Sequence, residues 1–525
     1  MNIRFRGWRL ALSLFSGLAL ALAFPNYNLP LLGWVSLAGL LFASLGAGVG
    51  HAALCGFLYG AVFYTVSLSW VYTVLRQYGP LPLWQAAGVM GLLVAAASLF
   101  CALFAVAVAW MAGRSTRLTL LAAPFLWVAL ELGRSRLPDI GFPWNLLGYT
   151  AAGNLALVQI AAVTGIYGLS LLVAAYNALL VWTLCAPSSG ARRRATAFWL
   201  ASTAALAAVA LLGGRLVPQA QSTHVAHLVQ TNLPQALDYP ANWDALHAED
   251  MAELEAISIS AGRIRTGSSA EDQPGLIIWP EVPAPFSLQQ PGFAQRVARI
   301  AQAAHTNFLF GEVDWKPAAG GRPTPYNSAA LLGPSGREEF LYDKIYLVPF
   351  SEYVPWRDFL WFAGDLTGLI GDFGFGMHYA VGELPGGRFS VVICYEAVFP
   401  DHVRQFVRNG AGLLINISND GWFGHTSAPA QHLAQARVRA VENRRWLLRD
   451  TNNGFTVSVD PYGRVVARLA PYIRGRLDAP YGFREDRTLF TRWGDWVAWL
   501  SVVLSVCLLI AALRYRPKIS ALRTP

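Results

Sequence analysis

Of the 31 acidic residues in this chain, only Glu131 and Asp139 fall within the first 220 positions. A stretch so poor in carboxylates and so rich in apolar side chains has few folding options in water. A bilayer-spanning helix needs about 20 mostly apolar residues. Runs of that kind lie near 10–24, 31–46, 52–74, 84–112, 118–134, 155–186 and 196–213, with an isolated one near 494–513. The chain as a whole is 54% hydrophobic and 14% charged, against roughly 25% charged for soluble domains. That balance excludes a purely soluble array of domains, and it also excludes disorder, which needs few apolar groups and many charges.

The first two runs are short and flank Pro25 and Pro30, which leaves open either two crossings or a re-entrant hairpin. Residues 10–24 follow Arg4, Arg6 and Arg9 in the layout of a secretory signal. However, Ala21-Leu-Ala-Phe-Pro25 is a poor cleavage site and six further runs follow, so the segment is read as retained. Basic residues in short loops resist translocation and set orientation. With eight crossings, the N-terminal arginines, Arg114 and Arg117, Arg192 to Arg194, and Arg514, Arg516 and Lys518 all fall on the cytoplasmic side. The resulting expectation is a membrane domain over 1–217 with about seven spans, an extracytoplasmic domain over 218–488, and a final span with a cytoplasmic tail over 489–525. The net charge of 40 − 31 = +9 follows the cytoplasmic loops and suits anionic lipid. It is not gathered into a soluble patch, and no nucleic-acid motif accompanies it.

The extracytoplasmic segment alternates strand and helix signals, which implies an α/β layered domain. β-Branched apolar runs lie at 225–229, 276–279, 308–313, 328–332, 390–394 and 413–417, with further strands at 446–449, 455–459 and 465–469. Helical stretches lie at 243–261, 292–304, 400–409 and 429–443; the last opens on Ser427 and Pro429 as capping residue and first-turn proline.

Four of the five cysteines (Cys55, Cys101, Cys185 and Cys507) sit in predicted spans, where a thiol packs as a small apolar group. Cys394 alone belongs to the soluble domain. A lone thiol in an oxidising compartment is a liability unless shielded or used. It ends the apolar run Phe389-Ser-Val-Val-Ile-Cys-Tyr-Glu396, and strand ends in α/β domains are where sites collect. A thiol needs a base or cation beside it to attack as thiolate. Ile277-Ile-Trp-Pro-Glu281 ends a second apolar run in a carboxylate, and Tyr342-Asp-Lys344 offers a lysine in a chain with only Lys316, Lys344 and Lys518. Unlike arginine, lysine is a compact point charge that suits a desolvated site. A Glu/Lys/Cys acyl-transfer centre is one reading; a buried structural cysteine is the other.

At these residues the chain resembles the nitrilase (carbon–nitrogen hydrolase) superfamily, and with its membrane spans the apolipoprotein N-acyltransferase family. The resemblance rests on Trp279-Pro-Glu281, Lys344-Ile-Tyr-Leu-Val-Pro-Phe-Ser-Glu352-Tyr-Val-Pro355 and Cys394-Tyr-Glu396. Tyr326-Asn-Ser328, Ser418-Asn-Asp-Gly-Trp-Phe-Gly424, Gln431-His432, Thr451-Asn-Asn-Gly454 and Phe142-Pro-Trp144 add to it. Tyr346 stands where the family usually has His, and Ser351 where it has Gly.

The resemblance implies an αββα sandwich beside a bundle of about eight spans, in a bacterial inner membrane with the catalytic domain periplasmic and both termini cytoplasmic. It implies Glu281 as general base, Cys394 as nucleophile, and Lys344 with the Tyr395 N–H as oxyanion donors. Glu352 and Glu396 would orient Lys344 and the base. The implied reaction moves an acyl chain from a phospholipid, the sn-1 chain of phosphatidylethanolamine, to the α-amine of a diacylglyceryl-cysteine apolipoprotein through a Cys394 thioester. A monomer without cofactor or metal is expected; His425 and His432 lack the spacing and cysteine partners of a zinc site.

Residues 353–376 carry Trp356, Trp361, Phe362 and seven other large apolar side chains among five glycines, and are read as an interfacial lid. Trp144, Tyr239, Trp243 and Asn327 are further substrate-contact candidates. The competing functions are a membrane-anchored amidase using the same three residues, and a transporter or scaffold whose soluble domain only binds.

Overall fold

The computed structural model describes residues 7–79, 81–236, 239–240, 242–262, 275–317, 321, 323–356 and 373–515. The chain divides into two compact units. The first comprises Met1–Leu137, Gly141–Leu216 and Asp495–Pro525; the second comprises Pro138–Ile140 and Val217–Gly494. The short helix Leu489–Trp493 therefore belongs to the second unit rather than to the last span. Thr488 Oγ1 donates to the Glu442 carbonyl, and Thr491 Oγ1 to Asn443 Oδ1.

In the first unit, among the described residues, six helices are long and apolar enough to cross a membrane: Val49–Ser67, Leu83–Ala112, Thr116–Ser135, Leu157–Leu184, Ser189–Leu216 and Trp496–Arg514. Gly7–Leu22 and Pro30–Ser44 are shorter apolar helices, so eight crossings is an approximate count. Lipid offers no hydrophobic drive between helices, so close packing relies on small residues. Gly56 and Gly60 meet Leu83–Ala112 so tightly that a methyl at Gly56 would lie 2.3 Å from the Cys101 carbonyl oxygen.

Irregular backbone inside a membrane unit must find its partners in protein. Arg134 donates to the carbonyls of Phe142 and Trp144 at 2.9 and 3.0 Å, and Glu131 accepts the Leu147 N–H at 2.7 Å. Trp144, read as a lipid-path contact, is 1% exposed. It stacks on Phe142 and packs against Trp70, and so occupies a packing position.

The second unit holds twelve strands among its described residues. They are β1 (His224–Gln230), β2 (Leu276–Ile278), β3 (Asn307–Lys316), β4 (Thr324–Leu332), β5 (Glu338–Asp343) and β6 (Gly382–Leu384), followed by β7 (Gly387–Ile393), β8 (Leu413–Ser418), β9 (Trp446–Thr451), β10 (Val457–Val459), β11 (Val465–Arg468) and β12 (Gly475–Tyr481). They form two six-stranded sheets ordered β12-β1-β2-β3-β4-β5 and β11-β10-β9-β8-β7-β6. Strand alternation divides the core. Leu276 and Ile278 share one apolar layer with Val391, Ile393 and Ile415 between the sheets. Ile277 and Phe308 share another with Leu254, Val297 and Ile300 of the helices Ala248–Gly262 and Pro291–Ala304. Helices on the outer faces of two stacked sheets make an αββα sandwich.

Ser427 does not cap the Ala428–Asn443 helix through its side chain; its hydroxyl accepts from Gln431 Nε2 instead.

Glu312 in β3 is 2% exposed and accepts the Leu288 N–H at 2.6 Å. Burial, reinforced by Asp314, Glu338 and Asp343, pushes its carboxyl up to about 7. Raised above its ordinary value, this group favours folding below pH 4.5, and that contribution is lost as pH rises through about 7. Glu312→Gln should therefore raise the unfolding temperature of the detergent-solubilised protein most at mildly alkaline pH and least at mildly acidic pH. Calorimetry showing equal shifts at both would contradict this.

Candidate active site

Four of the polar residues of the site follow the ends of strands. Glu281 lies three residues beyond β2, while Lys344, Cys394 and Asn419 directly follow β5, β7 and β8. β2 and β3 are parallel, and two antiparallel steps lead on to β5, so β2 and β5 point the same way. β7 and β8 are parallel too. Polar groups are thus delivered to one end of the sandwich by strands whose apolar residues fix its core.

Lys344 is 1% exposed. Its ammonium donates to Glu281 Oε1 at 3.1 Å and to Glu352 Oε1 at 3.0 Å. Burial opposes its charge, but the two carboxylates prevail and hold its pKa above the ordinary lysine value. Asn327 Nδ2 bridges the same two oxygens at 2.8 and 2.7 Å. Expected from sequence to contact substrate, Asn327 here spaces two carboxylates. Glu281 Oε2 accepts the Asn419 N–H at 2.8 Å, and Glu352 Oε2 accepts the Val348 N–H at 2.7 Å.

Cys394 is 7% exposed and opens the short turn Cys394–Val398 with φ of +48°. A left-handed conformation costs a non-glycine residue about 1–2 kcal/mol, so the surroundings must hold it. Burial raises the thiol pKa, the Glu281 charge raises it further, and Lys344 opposes. The sulfur thus lies within the field of both groups.

Glu396, fully buried, acts on backbone rather than on the ammonium. It accepts from the N–H groups of Ile393, Ile345 and Tyr346 and from the Tyr342 hydroxyl at 2.7–3.1 Å, joining the Lys344 loop to the Cys394 turn. Tyr395 is buried, its ring edge-on to Phe399. Tyr346 packs on Phe399 and His402.

Trp243 is a core residue, 4% exposed and stacked on His247. Tyr239 packs beside it and donates to the Pro283 carbonyl. Trp361 and Phe362 lie outside the described residues.

The sequence motifs include Asn419, Asp420 and His432 without giving them a bonding role, and Arg449 lies outside those motifs. A signal existed: Asn419 and Asp420 end a wholly buried strand just as Glu281 and Cys394 do, and Arg449 interrupts the apolar run of β9.

The family model described as "Apolipoprotein N-acyltransferase N-terminal domain" matches residues 16–179, and the one described as "Carbon-nitrogen hydrolase" matches 227–477. Proteins named apolipoprotein N-acyltransferase are similar over nearly the whole chain. The one from Geobacter metallireducens is 36% identical, covering 97% of this chain and 95% of the relative. That from Methylococcus capsulatus is 33% identical, covering 93% of each. Among solved structures, an amidase from Nesterenkonia sp. matches at 21% identity, with a TM-score of 0.36, covering 51% of this chain and 95% of its own. Saccharomyces cerevisiae Nit3 matches at 19% identity, with a TM-score of 0.35, covering 49% and 91%.

A polytopic membrane unit joined to a carbon–nitrogen hydrolase sandwich defines a class of membrane acyltransferase. Within that class, this chain belongs to the apolipoprotein N-acyltransferase family.

Proposed function

We propose that the protein N-acylates lipoproteins, taking the sn-1 acyl chain of phosphatidylethanolamine and passing it to the α-amine of an N-terminal diacylglyceryl-cysteine by way of a Cys394 thioester. One observation carries this reading. A buried lysine bonded to two carboxylates and a thiol on a left-handed residue share one end of the sandwich, and the thiol is within the field of Glu281 and Lys344.

In the first half-reaction Glu281 takes the thiol proton as sulfur attacks the ester carbonyl. The Lys344 ammonium and the Tyr395 N–H stabilise the tetrahedral oxyanion; one such donor typically contributes about 2.7–4 kcal/mol. Collapse breaks the ester C–O bond, and the leaving lysophospholipid oxygen takes the proton from Glu281. In the second, the acceptor amine attacks the thioester, gives a proton to Glu281 and expels the Cys394 sulfur, which regains it. Glu352 and Asn327 hold the Lys344–Glu281 pair in register.

The distribution of basic loops supports a periplasmic catalytic domain and cytoplasmic termini. The membrane-anchored amidase alternative gives no role to six long apolar helices.

The test uses protein reconstituted with acyl-labelled phosphatidylethanolamine. Label on the α-amine of a diacylglyceryl lipopeptide supports the proposal. Ammonia released from a small amide, with no label transferred, contradicts it.

A lipid substrate also accounts for exposed apolar groups on the second unit. Phe350, Trp356 and Phe375 are each 47% exposed and Met377 is 79% exposed, and large exposed apolar groups favour a lipid surface over water. Replacing Phe375 and Met377 together by serine should slow transfer from bilayer phospholipid about tenfold while alkylation of Cys394 by a small soluble reagent stays within about twofold. Equal losses in both assays would contradict an interfacial role.

A further inference from the structure

The left-handed backbone at Cys394 is held from a direction that the three reacting groups do not explain. The Cys394 carbonyl oxygen lies 3.0 Å from His432 Nε2. A carbonyl only accepts, so Nε2 carries the proton. The other ring nitrogen, Nδ1, lies 3.1 Å from Arg449 Nη2 and 3.3 Å from Asp420 Oδ1. The same Arg449 nitrogen lies 2.9 Å from both Asp420 oxygens, and Ser418 Oγ donates to Asp420 Oδ1 at 2.9 Å. His432, Arg449 and Asp420 are all at most 1% exposed.

We propose that His432 is a positioning residue for the acyl-transfer centre: fixed by Arg449, which Asp420 holds in place, its Nε2–H grips the Cys394 carbonyl and locks the left-handed turn that aims the thiol at the substrate carbonyl carbon and the Tyr395 N–H at its oxygen.

The tautomer follows from the neighbours. A neutral ring with Nε2–H leaves a lone pair on Nδ1, and the guanidinium, a permanent donor, supplies the hydrogen bond to it. Burial and the Arg449 charge hold His432 below its ordinary pKa. Burial opposes the Asp420 charge, but the Arg449 guanidinium overcomes it and holds that carboxyl below its ordinary range.

The grip is part of a clamp. His432 and Arg439 lie seven residues apart on the Ala428–Asn443 helix, two turns along one face. Arg439 Nη1 donates to the Val398 carbonyl at 3.2 Å, and its Nε pairs with Glu442 at 2.7 Å. One helix therefore fastens both ends of the Cys394–Val398 turn, while Glu396, within the turn, ties it to the Ile345 and Tyr346 N–H groups that follow β5 of the opposite sheet. The bond from His432 goes to a backbone oxygen, so the proton of the thiol remains the business of Glu281.

This role rests on Cys394 being the acylated nucleophile. The experiment measures single-turnover formation of the Cys394 acyl adduct from labelled phosphatidylethanolamine in full-length parent, His432→Leu, His432→Gln and His432→Asn proteins. Leu has no donor; the Gln amide reaches the Nε2 position; the Asn amide reaches only the Nδ1 position. Misplacing a reacting group by about 1 Å costs on the order of 10²-fold. Acylation at saturating phospholipid should fall by about that factor in His432→Leu, with half-saturation within about twofold of parent, and His432→Gln should recover at least about tenfold of the loss. Should His432→Leu fail to fold, His432→Gln should still outpace His432→Asn by about tenfold. Parent-like acylation in His432→Leu, or Gln no faster than Asn, overturns the positioning role while leaving the thioester mechanism standing. A parent protein that forms no adduct overturns both.

Discussion

A Cys394→Ala protein should fold, bind phospholipid and transfer no acyl chain, its rate falling by at least about 10⁴-fold, as when a nucleophile is removed from a group of residues that act as a unit. Only the sulfur is lost. Alanine keeps the Cβ, so the +48° backbone at position 394 is no more strained than before, and the bonds from Glu396 and His432 go to backbone atoms or to other residues. Unfolding temperature should accordingly change little. Cys394→Ser should also be inactive for transfer, because a hydroxyl is far less acidic than a thiol and Glu281 must already work against a thiol pKa raised by burial and by its own charge. Label transfer and calorimetry on the same preparations check both halves. A Cys394→Ala protein that still acylates at a substantial rate would remove sulfur from the mechanism.

Lys344→Met should be the most damaging change to the fold and the chemistry together. The ammonium lies between Glu281 and Glu352, and Asn327 Nδ2 is the other donor shared by the two facing oxygens. Breaking a buried pair by removing one partner costs about 3–5 kcal/mol, since the remaining charge is left uncompensated. Without the ammonium, the Glu281 and Glu352 carboxylates face each other with no cation between them. Transfer then loses an oxyanion donor, about 10²–10³-fold. The native pair carries a pH signature. With the Lys344 pKa raised, its stabilisation is present in full below the ordinary lysine value of 10.5 and is lost only as pH rises through the raised one. Lys344→Arg should not rescue, because a planar guanidinium does not fit a 1% exposed site shaped around a point charge. Transfer within about tenfold of parent in Lys344→Met would show that the lysine is only a structural counter-ion.

What the sequence disclosed, and what it hid, follows from where information is local. Apolar runs long enough to cross a bilayer are local, and so are buried strands that end in a single polar residue; these pointed to the membrane unit and to Glu281 and Cys394. Three strands left no such mark. β5 begins with two glutamates, β6 is three residues long, and β12 carries Arg476, Asp478 and Pro480. β5, β6 and β12 are edge strands, so one face and one backbone rim are free to be polar and the apolar alternation fades.

The second layer of the site was hidden for a different reason. His432 and the Cys394 carbonyl are 38 residues apart, and Asp420 and Arg449 are 29 apart. Nothing in a one-dimensional pattern states that a helix histidine will bond to a backbone oxygen rather than to a metal or a substrate. Asn327 was likewise visible as a residue of interest, while its two carboxylate partners became readable only once β4 lay beside β3 and β5.

The central claim is that an acyl chain rests on Cys394 between donor and acceptor. Intact-mass analysis of reconstituted protein given phosphatidylethanolamine and no acceptor tests it most directly. One acyl mass is expected on the peptide containing Cys394, released by hydroxylamine and moved to the amine of an added lipopeptide at least as fast as steady-state turnover. An unmodified Cys394 during productive transfer, or an adduct that the lipopeptide does not discharge, would contradict it.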